Sequence, residues 1–333
     1  MIESERTRLL RARLVEDLVA RGEIHSPAWR QAFAEVPRHL FVPRFYRYTG
    51  EGRLVFDSAD PERYDDWLHE VYRDVVLNVL WDEQHPLVNS TSSMPSKMAQ
   101  MLEALDLDAG HRVLEIGTGT GYNAALLCDR LGSDRVTTVD IDAGLVEAAR
   151  ERLAMAGHSP TVVAADGFHG HPGNAPYDRV IATCQTRDVP AAWIDQCRPG
   201  GLVLAMLPCA MARLRVAADG SAEGHFHPAS FGFMSMREHW PSPPPAAELI
   251  GLLSKPGASR RAGFELWEAE GPFSPFWLFE RLALLRCDEV IDIAQGVWGI
   301  VDLSDLSWVR FDRNRSRITQ GGPRRIGDAQ EEL

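Results

Sequence analysis

Between Val113 and Tyr122 the chain reads Val-Leu-Glu-Ile-Gly-Thr-Gly-Thr-Gly-Tyr, an apolar strand entering a turn with glycine at every second position. A helix-like stretch, Asn123 to Leu131, follows. Glycines let the backbone pass close to a ligand, and the helix behind them offers unpaired N–H groups and a positive dipole end. These are the parts of a nucleotide-cofactor cradle. The spacing Gly117-x-Gly119-x-Gly121, with Thr118 and Tyr122 in the same turn, differs from the G-x-G-x-x-G of dinucleotide sites. Glu115, just upstream, is a carboxylate that favours the ammonium and sulfonium of an amino-acid-bearing cofactor such as S-adenosyl-L-methionine (SAM). SAM is therefore the expected cofactor. The glycine pattern alone also admits a dinucleotide, and with it a Rossmann oxidoreductase.

Two further carboxylates fall where such a cofactor needs them. Val136 to Val139 reads as a strand ending at Asp140, with Ile141 beside it, and Thr161 to Ala165 as a strand ending at Asp166-Gly167. In doubly wound sheets the ligand lies outside the carboxyl ends of the strands. Asp140, placed about twenty residues after the glycine turn, is positioned to accept both ribose hydroxyls. Asp166 can accept from an adenine amino group, and Gly167 lets the backbone approach. A lone Asp at a strand end is more often a turn residue, but two at successive strand ends after a glycine turn favour cofactor binding.

The elements that position these residues alternate strand and helix. Asp142 caps a helix carrying Leu145, Val146, Ala149 and Leu153; Asp178 to Thr183 is a strand; a short helix lies near Pro190 to Cys197; Arg198-Pro199-Gly200-Gly201 turns into a strand over Leu202 to Leu207. Repeated β-α units build a parallel sheet with helices on both faces. Ahead of them, Leu9, Leu10, Leu14, Leu18 and Val19 predict an amphipathic helix over 6–20. Ser26-Pro27 opens a second helix through Ala34. Val36 to Pro43 reads as an extended connector pinned between two prolines, and a helix is expected near Asp60 to Val71. Asn89-Ser-Thr-Ser-Ser-Met-Pro95 is dense in hydroxyls and leads into a helix with Met98, Met101, Leu102 and Leu105 on one face. By itself that segment reads as an over-provided N-cap.

From about residue 211 the pattern changes. A hairpin turn at Val216 to Gly220, strand-like runs at Phe231 to Met236, Phe264 to Glu270 and Val297 to Asp302, and Trp267, Trp277 and Trp298 suggest a small α+β module. A stiff linker, Pro241 to Pro245, lies between them, and Gly321-Gly322-Pro323 marks a helix start. The expected organisation is an N-terminal helical and connector region (1–87), a cofactor-binding core (88–210) and a C-terminal accessory, substrate-binding module (211–333).

The 333 residues carry 45% apolar and 25% charged side chains, ordinary for a soluble globular protein. A net charge of −12 argues against a nucleic-acid partner, since phosphate binding needs clustered Lys and Arg. Cys128, Cys184, Cys197, Cys209 and Cys287 are widely spaced with no C-x-x-C pair, which reads as reduced thiols. The start lacks the order of a signal peptide and no stretch is long enough to span a bilayer, so a cytoplasmic location is expected. His169-x-His171 and His225-x-His227 each lack a clear third ligand, and no metal is expected.

Four motifs in order resemble the protein-L-isoaspartate O-methyltransferase family: Val36-Pro37-Arg38-x-x-Phe41-Val42-Pro43; Tyr72-x-Asp74; Ser90 to Pro95; and Val113 to Tyr122 with Ala175-Pro-Tyr-Asp178 and Arg198-Pro-Gly-Gly201 downstream. The resemblance covers about residues 30 to 208. It implies a Rossmann-like SAM-dependent methyltransferase sheet with N-terminal helices and, in this chain, a C-terminal α+β extension. It also turns the hydroxyl segment from cap to site. By position Ser93 becomes the catalytic residue, and Thr91, Ser92 and Met94 become substrate contacts for a peptide or protein bearing an Asp or isoaspartyl carboxylate. Ser90 and Met94 replace glutamines of the family pattern, and the 77–88 connection is longer. Gly322-Pro323-Arg324-Arg325 in the long tail resembles the methyltransferases of ATP-grasp peptide maturation (graspetides). In those enzymes an aspartate of a ribosomally made, modified peptide (a RiPP) is methylated and the ester collapses to aspartimide. That role is the main expectation; repair of isoaspartate in damaged proteins and a non-catalytic SAM-binding module are the alternatives.

Overall fold

The computed structural model describes residues 4–49, 52–79, 90–207, 210–228, 233–237, 246–261, 289–294, 297–302, 306–312 and 317–323. The chain begins with α1 (Glu5–Ala20), whose N-cap Ser4 accepts from the Thr7 amide at 3.1 Å. Its buried stripe is Thr7, Arg11, Leu14, Val15 and Leu18, while Leu9 is 53% exposed. The predicted stripe was thus misplaced at its start, because Arg11 and Thr7 occupy the inward positions that Leu9 and Leu10 were expected to take. α2 (Pro27–Glu35) starts as its Ser-Pro signal requires, with the Ser26 hydroxyl accepting from the Trp29 amide. Such a cap contributes about 1 kcal/mol.

The connector between the prolines is not extended: Arg38–Phe41 forms one helical turn, α3, with Arg38 and Phe41 buried. β1 (Arg44–Thr49) and β2 (Gly52–Asp57) follow as an antiparallel hairpin, in register from Arg44 opposite Asp57 to Thr49 opposite Gly52. Phe45 and Phe56 stack across it at 5.0 Å. After α4 (Tyr64–Val71), β3 (Leu77–Val79) and β4 (Ser90–Ser92) complete a four-stranded sheet in the order β2-β1-β3-β4. α5 (Pro95–Ala104) then leads into the core.

The core alternates as expected: β5 (Val113–Ile116), α6 (Tyr122–Leu131), β6 (Val136–Asp140), α7 (Ala143–Met155), β7 (Thr161–Ala164), β8 (Tyr177–Gln185), α8 (Ala191–Asp195) and β9 (Cys197–Leu207). β10 (Ala210–Val216) and β11 (Ala222–Pro228) form a hairpin whose turn is closed by the Ala217 amide donating to the Ser221 carbonyl. Both strands join the main sheet, whose order is β11-β10-β9-β8-β5-β6-β7. β9, β8, β5, β6 and β7 run parallel. Parallel strands are covered on both faces and become continuously apolar. Val113, Leu114, Val139, Val180, Ile181, Val203 and Leu204 accordingly have no exposed surface. The strand order reverses between β5 and β8, which places the ligand crevice at the end of β5. Arg198 to Gly201 is a bulge inside β9, where Tyr177 and Arg179 face Cys197 and Leu202.

Two compact units emerge. One holds residues 1–185, 189–206 and 212–226, so the N-terminal elements cluster with the parallel sheet; the other holds 186–188, 207–211 and 227–333. In the second, α9 (Ala246–Leu253) packs on an antiparallel sheet ordered β12 (Ala258–Arg261), β16 (Arg317–Gly321), β15 (Ser307–Asp312), β14 (Val297–Asp302) and β13 (Glu289–Ala294). Buried Trp308 lies against Gly257 and Gly321, where a β-carbon on Gly321 would come within 2.8 Å of the indole. Gly321 ends a strand and Gly322-Pro323 form a bend, while the positions a following helix would occupy lie outside the described residues. Residues 233–237 contain no regular strand, and Phe264 to Glu270, Trp277, Pro241 to Pro245 and Arg324-Arg325 lie outside the described residues. Among the described residues no helix is long and apolar enough to cross a membrane.

Candidate active site

β5 delivers the glycine turn at the reversal of strand order. Gly117, Gly119 and Gly121 have φ of 100°, 51° and 89°, a region that L side chains avoid. A β-carbon on Gly117 would sit 2.8 Å from the Thr183 hydroxyl, and one on Gly121 3.3 Å from the Ala149 side chain on α7. The turn is tied to β6: the Gly117 amide donates to the Val139 carbonyl at 2.8 Å, and the Gly119 amide to Asp140 Oδ2 at 2.8 Å. Asp140 Oδ1 accepts from the Asp142 amide at 3.1 Å. The Asp140 carboxylate therefore shapes the turn, and as an acceptor-only group at the strand end it suits a ribose hydroxyl. Half-buried Ile141 separates it from Asp142, whose side chain caps α7 through the Leu145 amide.

Asp166 follows β7 and accepts from the Phe168 amide at 3.0 Å, with His169 Nε2 3.6 Å from its other oxygen. Gly167 is needed for contact: a β-carbon there would lie 2.5 Å from Ile116 Cγ2, and its carbonyl accepts from the Trp193 indole. The turn and these two aspartates thus share the carboxyl rim of β5, β6 and β7. The donor set fits SAM, since side-chain-free backbone lies beside carboxylates that suit hydroxyl groups and positive charge.

Three of the expected cofactor contacts face inward instead. Glu115 has no exposed surface; its two oxygens accept from Asn123 Nδ2 and Thr138 Oγ1, both at 2.6 Å. Burial pushes its carboxyl up to about 7, against the opposing pull of those hydrogen bonds. The Thr118 hydroxyl joins the same network through Thr138 at 2.7 Å. Tyr122 is buried among Phe33, Phe41 and Arg38, and burial raises its phenol to about 12. These residues brace the cradle from behind. Strand alternation could have warned of Glu115, whose neighbours Leu114 and Ile116 point to the opposite face. Thr183, at the end of β8, escaped notice; it donates to the Ile116 and Gly117 carbonyls at 3.1 and 2.7 Å and fastens the turn to the sheet.

The hydroxyl segment adjoins the cradle. Ser90, Thr91 and Ser92 form β4, paired with Val79, Asn78 and Leu77. A β-carbon on Gly119 would stand 3.7 Å from both Ser90 Oγ and the Thr91 carbonyl oxygen. Ser90 and Ser92 are buried, and Thr91, Ser93 and Met94 are half-buried. The hydroxyls do not cap α5. Its N-cap is Met94, without a side-chain bond, and the Ser96 amide donates instead to Asp74 Oδ1 at 2.8 Å. The Ser93 and Thr91 hydroxyls have no hydrogen-bond partner among the described residues. The N-cap reading fails because a carboxylate 22 residues upstream takes that place.

Arg38 is the residue the sequence hid. It is wholly buried, and its guanidinium donates to the carbonyls of Val71, Arg73, Val75 and Ser93 at 2.8–3.1 Å, with Ser92 Oγ at 3.5 Å. Asp74, within that loop, also pairs with Arg21 at 2.8 Å. His169 and His171 lie on a loop, and no cluster of three metal-ligating side chains occurs among the described residues.

Comparison with known proteins agrees with this geometry. The family described as protein-L-isoaspartate(D-aspartate) O-methyltransferase matches residues 10–219. A protein-L-isoaspartate O-methyltransferase of Hyperthermus butylicus is 36% identical over 209 residues, 60% of this chain and 75% of its own. One of Azorhizobium caulinodans is 37% identical over 207 residues, 62% and 81% respectively. A solved protein-L-isoaspartate O-methyltransferase superposes with a TM-score of 0.58 at 24% identity, covering 94% of this chain and 88% of that one, which supports the fold. With its motifs, its sheet and these matches, the chain belongs to the protein-L-isoaspartate(D-aspartate) O-methyltransferase family and is a SAM-dependent carboxyl O-methyltransferase.

Proposed function

We propose that the enzyme methylates the side-chain carboxylate of an isoaspartyl residue in a peptide or protein, with Ser93 and its neighbours holding the acceptor beside the glycine turn. The observation that supports this reading is the contact of β4 with Gly119 through Ser90 Oγ and the Thr91 carbonyl; Ser93 directly follows β4, with a hydroxyl that has no hydrogen-bond partner among the described residues. SAM, when bound, supplies a methyl group on a sulfonium that is already a good leaving group. An acceptor carboxylate with a pKa near ~4 is already an anion at neutral pH, so no general base is required. A carboxylate oxygen forms the new bond to the methyl carbon as the carbon–sulfur bond breaks and its electron pair stays on sulfur. The chain's work is alignment and the exclusion of water. In the proposed arrangement the Ser93 hydroxyl donates to the acceptor carboxylate, Thr91, Ser92 and Met94 meet the acceptor backbone, and Asp140 and Asp166 hold the cofactor. Methylation converts the carboxylate into an ester that a neighbouring amide nitrogen can attack, closing a succinimide with loss of methanol.

A second reading has its own support. Residues 227–333 form most of a separate compact unit outside the family match, and Ser90 and Met94 depart from the family pattern. Both features suit an enzyme dedicated to an aspartate of a ribosomally made, modified peptide, with the C-terminal unit recognising that peptide and the ester collapsing to aspartimide. Incubating the enzyme and SAM with a short isoaspartyl peptide or with a constrained precursor peptide separates the two by mass spectrometry. Methyl gain on the first alone supports the isoaspartyl reading; methyl gain and methanol loss on the second alone overturns it in favour of maturation.

A further inference from the structure

Arg38 presents an energetic puzzle. A guanidinium with no exposed surface has lost its hydration, and among the described residues no carboxylate forms an ion pair with it. Every hydrogen bond it makes goes to a neutral oxygen. Burial lowers its pKa to about 10, so it remains charged at neutral pH. A buried cation that Asp74 favours only through space, with no ion pair, is costly, and apolar side chains of similar volume would fill the same space at less expense. What they could not do is gather carbonyls from two separate stretches of chain, which the planar five-donor fork does.

The two stretches are informative. Three of the carbonyls, those of Val71, Arg73 and Val75, belong to the end of α4 and the turn that follows it; the fourth is that of Ser93 itself. Asp74, in the middle of the same turn, reaches the Ser96 amide and so fixes the first turn of α5 just beyond Ser93. The C-terminal end of the hydroxyl segment is thus held by Arg38 at Ser93 and by Asp74 at Ser96, and Arg38 also holds the loop that carries Asp74. The cofactor rim takes no hydrogen bond from Arg38, whose approach to it is the guanidinium lying 5.9 Å from the Tyr122 ring centroid. The rim's backbone ties run to Val139, Asp140 and Thr183.

We infer that Arg38, together with Asp74, is a positioning residue for the acceptor: it fixes where Ser93 stands, directly after the strand that touches the glycine turn, and thereby governs peptide turnover without governing cofactor affinity. This rests on the reading that Ser93 receives the acceptor carboxylate. A misplacement of about 1 Å at a reacting centre can cost about 10²-fold in rate, which sets the size of the expected effect.

The test uses the full chain with SAM and a short isoaspartyl peptide as substrate, and S-adenosyl-L-homocysteine as the calorimetric probe of the cradle. Arg38→Met is expected to lower kcat/KM for the peptide by about 10²-fold while the S-adenosyl-L-homocysteine Kd changes by less than about threefold. Arg38→Lys, which keeps the charge but not the fork, should recover only part of that loss. Asp74→Ala, which leaves the buried guanidinium in place, should raise the peptide KM at constant cofactor affinity and serves as the test if Arg38→Met does not fold. Unchanged peptide kinetics in Arg38→Lys and Asp74→Ala would overturn the inference. So would a loss of cofactor affinity in step with turnover, which is what a merely structural role predicts. An inert wild-type enzyme would instead sink the isoaspartyl reading on which the inference stands.

Discussion

From Val113 to Tyr122 the chain carries most of what it needs to make a cofactor cradle: a buried strand, three glycines at positive φ and the start of a helix, all within ten residues. From Ser90 to Pro95 it carries hydroxyls but little of their arrangement. Arg38 reaches the Ser92 and Ser93 end of this segment across 54 and 55 residues, and Asp74 reaches Ser96 across 22. The two regions meet at Gly119, yet one is set by local backbone stereochemistry and the other by long-range hydrogen bonds. A cradle of the first kind can be recognised from its spacing. A segment of the second kind reads as a helix cap until the residues that hold it are seen.

Perturbing the two regions separately should expose that difference. The largest effect is expected of Gly117→Val. A β-branched residue at φ 100°, with its β-carbon 2.8 Å from the Thr183 hydroxyl, should weaken S-adenosyl-L-homocysteine binding by about 10²-fold in calorimetry. Binding at wild-type strength would break the claim that the turn's backbone makes the site. Ser93→Ala should leave that affinity alone and lower methyl transfer to the true peptide about tenfold, the weight of one hydrogen bond to a charged group. Unchanged turnover would remove Ser93 from the proposed machinery.

Thr183→Ala sharpens the comparison, because it tests a tertiary fastening of long sequence reach on the cradle side. Loss of its hydroxyl, which serves the Ile116 and Gly117 carbonyls, should weaken cofactor binding only about fivefold. A collapse of binding would mean that the cradle depends on long-range support as much as the acceptor segment does. Glu115→Gln should have the smallest effect at fixed pH and a distinct effect on pH dependence. The folded pKa of Glu115 is raised to about 7 from an ordinary 4.5, so between those values the folded state binds more protons than the unfolded one. Its contribution is then fully present below about pH 4.5 and is lost as pH rises through about 7. The wild type should lose thermal stability relative to Glu115→Gln over that window, and parallel melting curves across it would contradict the assignment.

The residues misjudged from sequence share a cause. Glu115, Thr118 and Tyr122 sit in the cofactor motif, but the strand's alternation and the helix's first turn direct their side chains to Thr138, Asn123 and the α2–α3 aromatics. Motif membership tells which backbone approaches the ligand and says less about which side chains do. The hairpin of β1 and β2 carries a signal in its aromatic and β-branched run around Gly-Glu-Gly, a stretch for which the sequence expectations name no element. The change of pattern near residue 211 falls on β10 and β11, which still join the main sheet, because an edge hairpin can extend a sheet while looking unlike its parallel interior.

By itself, the sequence determined the alternating β-α order, the glycine turn, the caps at Ser26 and Asp142 and the aspartates at two strand ends. Each of these is dictated by backbone sterics or by hydrogen bonds spanning a few residues. Tertiary structure alone decided that Arg38 and Asp74 shape the acceptor segment, that Thr183 fastens the turn, and that Glu115 lies behind the site. Those outcomes depend on which distant carbonyls and carboxylates arrive at a buried group, and at Arg38 the hydrogen bonds to four carbonyls offset the cost of burial although its Nε has no partner among the described residues.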